Sequence, residues 1–172
     1  MIGQAIAFVL GNLPAFLLAA ALIAAAAIRA PAPAAERYLA WLLILPIGGS
    51  GLWAALFHLV FPHTAASMIG WETSPFQFEV GMADLAIGAT AVLSFWRDLS
   101  FKAAVVIVNA IFLFGDAVGH VKQMIVAGNF APGNAGAPFV LDIVLPVATV
   151  ALLVVAQRAE RRSDALRMRA RS

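Results

Sequence analysis

No cysteine occurs among the 172 residues. Disulfides, thiol catalysis, iron–sulfur clusters and Cys-ligated zinc are thereby excluded, and any metal here must take oxygen or imidazole ligands. Charge is scarce as well. Charged residues make up 12% of the chain and apolar residues 63%, whereas a soluble domain is about a quarter charged and about half apolar. That balance excludes a soluble globular enzyme, a disordered chain and a nucleic-acid binder. The net charge of +2 conceals an uneven distribution. Arg158, Arg161, Arg162, Arg167, Arg169 and Arg171 crowd the tail against only Glu160 and Asp164. Such a tail reads as an anchor on the cytoplasmic face, with attraction to anionic lipid as its milder functional form. Gly-x-x-x-x-Gly-Lys phosphate cradles, dinucleotide fingerprints, His-Glu-x-x-His zinc motifs and Ser-His-Asp signatures are missing too. The Gly-rich stretch 128–138 carries turn residues and no phosphate-binding lysine.

What is there is long apolar runs. A helix needs about 20 apolar residues to cross the hydrocarbon. Stretches 2–28, 38–61, 76–96, 101–127 and 138–156 reach or approach that length. The expected fold is an all-α integral membrane protein, a bundle of five transmembrane helices over 1–156, with a basic tail over 157–172. The first stretch also resembles a secretory signal, which would leave four spans. No Lys or Arg precedes it, however, and it exceeds an ordinary signal core, so a retained span is expected. Ten of the eleven basic residues lie on one side of this arrangement, Lys122 being the exception. The positive-inside rule then places the N-terminus outside and the C-terminus in the cytoplasm of a bacterial inner membrane. Tyr38, Trp41 and Trp96 mark one interface, and Phe61, Trp71 and Phe76 the other. Leu13-Pro14, Leu45-Pro46 and Leu145-Pro146 predict kinks, or a discontinuous helix that offers backbone groups to a ligand.

The ionisable residues fall into two sets. Glu36, Asp98, Glu160 and Asp164 belong to the cytoplasmic face as solvated charges. The remaining acids and all three histidines belong to the outer half. A rise of about 1.5 Å per residue puts His58 and Glu79 about 5 Å below the outer end of their spans and Asp142 about 6 Å. His120 comes out at about 10 Å, Asp84 at about 12 Å and Asp116 at about 16 Å. Glu72 and His63 belong to the loop above. Ionisable groups at these depths face a bundle interior or a wet cavity. Four spans contribute, so one outward-facing polar funnel is expected.

Periodicity refines the set. Asn109, Asp116, His120 and Gln123 share one helical face. Asp116 and His120, four residues apart, suit a shared metal, or a carboxylate orienting the imidazole. Gln77, Gly81, Asp84 and Gly88 share a face of the third span, and Ser50, Ala54 and His58 a face of the second. Glu79 sits about 140° around the helix from Asp84. Each residue also has a structural reading. His58 suits a hydrogen-bonded interfacial histidine, Glu79 a first-turn acid and Asp142 a helix cap. Asp84, Asp116 and His120 suit interhelical hydrogen bonding. Lys122 is a candidate for neutralising one carboxylate.

Three blocks carry a resemblance: Trp71 to Gly81, Gly115 to His120 with Gln123-Met124, and Asn129 to Gly136 with Asp142-Ile143. Together they resemble a family of small, uncharacterised, multi-spanning bacterial membrane proteins over roughly Trp71 to Pro146. The resemblance implies no activity, only that the outer polar residues belong to a recurring pattern. A fainter likeness to DoxX-like four-helix membrane proteins rests on Glu79-Val80-Gly81 and Leu85 to Gly88.

These residues predict a membrane protein that binds a divalent cation (Zn²⁺, Mn²⁺ or Fe²⁺) or protons, as a small transporter, channel subunit or sensor. Asp84, Asp116, His120, Glu79 and Asp142 are the expected ligands, Asp116 and His120 the expected metal pair. His58, Gln123, Asn109 and Glu72 are accessory. The alternatives are an intramembrane metal-dependent or acid–base enzyme on a lipid-soluble substrate, and a structural subunit. The expected partners are the lipid bilayer and a second copy of the chain, with no nucleic acid.

Overall fold

The computed structural model describes residues 8–9, 11–28 and 32–170, and its regular elements there are all helical. They are α1 (Leu13–Ala27), α2 (Ala34–Val60), α3 (Pro62–Ile69), α4 (Phe76–Ser94), α5 (Leu99–Ala127), the single turn α6 (Pro132–Ala135) and α7 (Ala137–Arg169). Four segments are long and apolar enough to cross a membrane: α2, α4, α5 and the stretch Pro132–Arg169 that contains α7. This makes the chain a membrane protein. Among the described residues four segments reach that length against the five expected; α1 has 15 residues, about 22 Å of helix. Residues 2–7 and 10 of the first expected span, with Arg29 and Arg171 of the basic set, lie outside the described residues.

Backbone physics explains the bounds. Lipid cannot satisfy peptide groups, so the spanning segments are helical, Pro132–Arg169 breaking only at Gly136 between α6 and α7. Asp98 caps α5, its Oδ1 accepting from the Phe101 amide at 2.8 Å. Gly128 ends α5 in the left-handed region at φ 61°, where a side chain is strained. Pro146 lies inside α7 without breaking it. Pro46 does more. Proline brings no N–H, and around it Leu43–Gly49 takes the wider π-helical winding while α2 continues. The predicted kink is therefore a π segment, not a break. The loop 62–75 holds the unforeseen α3, and α7 runs past the predicted end at Ala156 to Arg169.

The helices pack as α2 on α4 and α5 on α7, with α7 also against α2. At the α2–α4 crossing two glycines meet. A Cβ on Gly51 would lie 3.0 Å from the Gly88 Cα, and one on Gly88 would lie 2.7 Å from the Leu52 amide nitrogen. Only hydrogen there lets the backbones approach this closely. The apolar core, with Leu39, Leu43, Val105, Val106 and Leu153, fills the half nearer the α4–α5 turn. An ion pair with one buried partner clasps that half. Lys102, 3% exposed, sits 3.6 Å from Glu36 and also donates to the Arg97 carbonyl. Glu36 is thus a paired charge, not the solvated one expected. The other half, under α3 and α6, is not filled by the core.

Candidate functional site

In that half lies a cavity of about 310 Å³. Its walls come from α1, α2, α4, α5 and α7, and Ala65, Met68, Trp71 and Gly133 approach it from the capping segments. Three carboxylates line it from three helices: Asp84 on α4, Asp116 on α5 and Asp142 on α7. His58, His120, Asn109 and Ser50 line it too, and among the described residues no Lys or Arg does. The shared faces read from periodicity account for this. Ser50, Ala54 and His58 of α2 all reach the cavity, as do Asn109, Asp116 and His120 of α5. The π segment turns Pro46 and Ile47 into its wall as well.

Not every expected residue is there. Glu72 and Glu79 are exposed and do not line the cavity. Glu79 stands in the first turn of α4, on the face away from Asp84, as the helical angle requires. Gln123 does not line it either; its carbonyl accepts the Gly128 and Asn129 amides that close α5. Lys122 is exposed and neutralises none of the three aspartates. Asp142 does not cap α7. Gly136 holds that position, and Asp142 faces the cavity from the second turn.

His120 is engaged differently from the expected pairing with Asp116. Its Nε2 lies 3.4 Å from Asp142 Oδ2, and its Nδ1 lies 2.8 Å from Asn134 Oδ1. Asn134, fully buried, is the residue sequence reasoning missed. Its Oδ1 also accepts from the Trp71 indole at 2.9 Å. Its Nδ2 donates to the carbonyls of Asn129, at 2.9 Å, and His120, at 3.3 Å. Asn129 in turn donates to the Ile69 and Gly70 carbonyls. The network ties α3, the Trp71 segment and α6 to the end of α5. The only signal for it was the third sequence block, where Asn129 and Asn134 read as turn residues.

Elsewhere in the cavity the polar groups lack such partners. Ser50 Oγ, His58 Nδ1 and Asn109 Nδ2 are buried with no hydrogen bond to any described residue. No hydrogen bond or salt bridge among the described residues reaches the carboxylates of Asp84 or Asp116. Three or more His, Cys, Asp or Glu do not gather in metal-holding geometry anywhere among the described residues. The metal pair expected at Asp116 and His120 lacks a third ligand, and both His120 nitrogens already face protein atoms.

The sequence matches a family of unknown function, DUF6790, over residues 9–162. The match extends well beyond the three blocks that carried the resemblance. No curated protein and no solved structure matches.

Proposed function

We propose that this chain, which belongs to the DUF6790 family, takes up positive charge in its intramembrane cavity, as a small transporter, channel subunit or sensor of the plasma membrane. The observation that carries this reading is the lining. Three aspartates from three helices face one cavity, and no Lys or Arg among the described residues lines it. A buried carboxylate without a counter-charge costs several kcal/mol, so such a group either holds a proton or attracts a cation. Three of them in one cavity make a site selective for positive charge.

Size favours some occupants over others. About 310 Å³ far exceeds a bare ion and falls at the lower end of small-molecule pockets, about 300–1,000 Å³. Trp53, Phe57, Trp71 and Phe112 add aromatic faces, which attract cations through their ring quadrupoles. A hydrated ion or a compact organic ammonium suits these walls better than a divalent metal held by protein ligands alone. The basic end of the bundle, by the positive-inside rule, faces the cytoplasm, and the capped cavity faces outward.

Titration of the purified protein in lipid nanodiscs tests the reading. Trp53 and Trp71 line the cavity and report on occupancy by their fluorescence. Tetramethylammonium, Mn²⁺ and Na⁺ serve as probes. Saturable quenching by one of them, lost in Asp84→Asn/Asp116→Asn, is the expected result. If that double variant melts at a lower temperature but no probe binds even the native chain, the polar residues only hold helices together.

A further inference from the structure

The hydrogen bonds around Asn134 decide a proton position that no single contact reveals. An indole N–H can only donate. Trp71 Nε1 therefore identifies the atom 2.9 Å away as the Asn134 oxygen. The amide nitrogen of Asn134 confirms this, because it faces two carbonyl oxygens, which can only accept. The atom 2.8 Å from His120 Nδ1 is then an acceptor, and Nδ1 must carry a hydrogen. Any further proton on this ring sits on Nε2, which faces Asp142 Oδ2 at 3.4 Å.

We infer that Asn134 is a positioning residue that locks His120 in the Nδ1–H form, so that His120 Nε2 and Asp142 hold one proton between them, and that this proton leaves as the cavity takes up a cation. The second half rests on the cation-binding reading above. With Nδ1 fixed, the pair has two arrangements: imidazolium beside carboxylate, or neutral imidazole accepting from a protonated carboxyl. Both carry no net charge. Release of that one proton to water leaves a single negative charge, and one bound monovalent cation restores the balance. The other titratable groups lining the same cavity are Asp84 on α4, Asp116 on α5 and His58 on α2. No ionisable residue of α3 or α6 lines it, and His63, Glu72, Glu79 and Lys122 are exposed outside it. The hydrogen bonds thus define the place of the Nδ1 proton, and Asp142 is the carboxylate that lies 3.4 Å from the other ring nitrogen. The network also joins this proton to the segments that cap the cavity, through Trp71 and Asn129.

The test is nitrogen NMR of ¹⁵N-histidine-labelled protein in nanodiscs, with His120→Gln used to assign the His120 signals. Nδ1 protonated in the native chain, whether or not Nε2 is also protonated, is the expected result. A neutral ring protonated on Nε2 alone overturns the lock. Asn134→Asp, which keeps an oxygen acceptor, should retain the Nδ1–H signal, and Asn134→Leu should lose it. An unchanged signal in a folded Asn134→Leu removes the positioning role. Calorimetric titration with tetramethylammonium in two buffers of different ionisation enthalpy then reads the linkage. Roughly one proton released per cation is expected. Binding without proton release overturns the linkage. Absence of any binding beside an intact Nδ1–H signal defeats the cation-binding reading and the linkage with it, and leaves the lock standing.

Discussion

Gly88→Ala probes the crossing that positions Asp84. A Cβ at Gly88 would lie 2.7 Å from the Leu52 nitrogen, 3.0 Å from the Gly51 carbonyl carbon and 3.1 Å from the Gly48 oxygen. All three are backbone atoms of α2, so no side chain can turn aside to relieve the clash. The helices must separate instead. Overpacking of this kind costs about 1–3 kcal/mol, and rigid backbone neighbours put this case at the upper end. Alanine's helix preference returns about 1 kcal/mol. The net loss is about 2 kcal/mol, which for a chain of this length lowers the melting temperature by about 4–8 °C. Gly115→Ala is the internal control. It lies in α5 with nothing within 4 Å of an added Cβ, so only the helix preference acts and the melting temperature should rise. Thermal unfolding in one detergent, followed by tryptophan fluorescence, compares the two. Equal shifts of the same sign would refute the claim that backbone contact at Gly51 and Gly88 sets the helix spacing. Because Asp84 stands one turn from Gly88 on the same face, cation binding should weaken in Gly88→Ala and stay unchanged in Gly115→Ala.

Other perturbations follow from the same geometry. Glu36→Gln leaves Lys102 buried without its counter-charge, whereas Lys102→Met leaves Glu36 partly exposed; thermal melts should therefore rank Glu36→Gln as the more damaging change. Asp98→Ala removes the cap on α5 and should cost about 1 kcal/mol by chemical denaturation, with no effect on cation binding. Trp71→Phe deletes one donor to Asn134 and should cost about 1 kcal/mol while the His120 Nδ1–H signal persists. Loss of that signal in Trp71→Phe would show that the indole, and not Asn134, sets the tautomer.

Apolar run length made the helical membrane class legible, and the 3.6-residue period made most of the cavity face legible. Asn109, Asp116 and His120 share a stripe because their spacing puts them there, and the same spacing turns Glu79 away from Asp84. What escaped depends on contacts between distant segments. Asn134 lies in a Gly-, Pro- and Asn-rich stretch where turn chemistry explains every residue locally. Nothing in its neighbourhood announces that its amide reaches back fourteen residues to His120. Glu36 and Lys102 are separated by two further helices in the chain, so their pairing has no local pattern either. The end of α7 was missed for a different reason. Hydropathy marks where hydrocarbon ends, while a helix rich in Arg and Ala continues into a polar phase without hindrance.

The polar residues of the capped half divide by how well the protein satisfies them. Asn129, Asn134, Trp71 and the Nδ1 of His120 form a closed set, each donor matched to an acceptor. Such a set holds segments together and specifies a single arrangement. Ser50, His58 and Asn109 each leave a buried polar atom unmatched, and Asp84 and Asp116 have no hydrogen-bonding partner in the described chain. A purely structural role predicts the first pattern everywhere, because an unmatched buried group costs about 1–3 kcal/mol and a charged one more. Five such groups around one cavity are the cost that the proposed uptake of positive charge would offset. His120 and Asp142 stand at the border between the two sets. One ring nitrogen belongs to the closed network and the other faces a cavity carboxylate, which is where a change of occupancy can be transmitted to the segments that cap it.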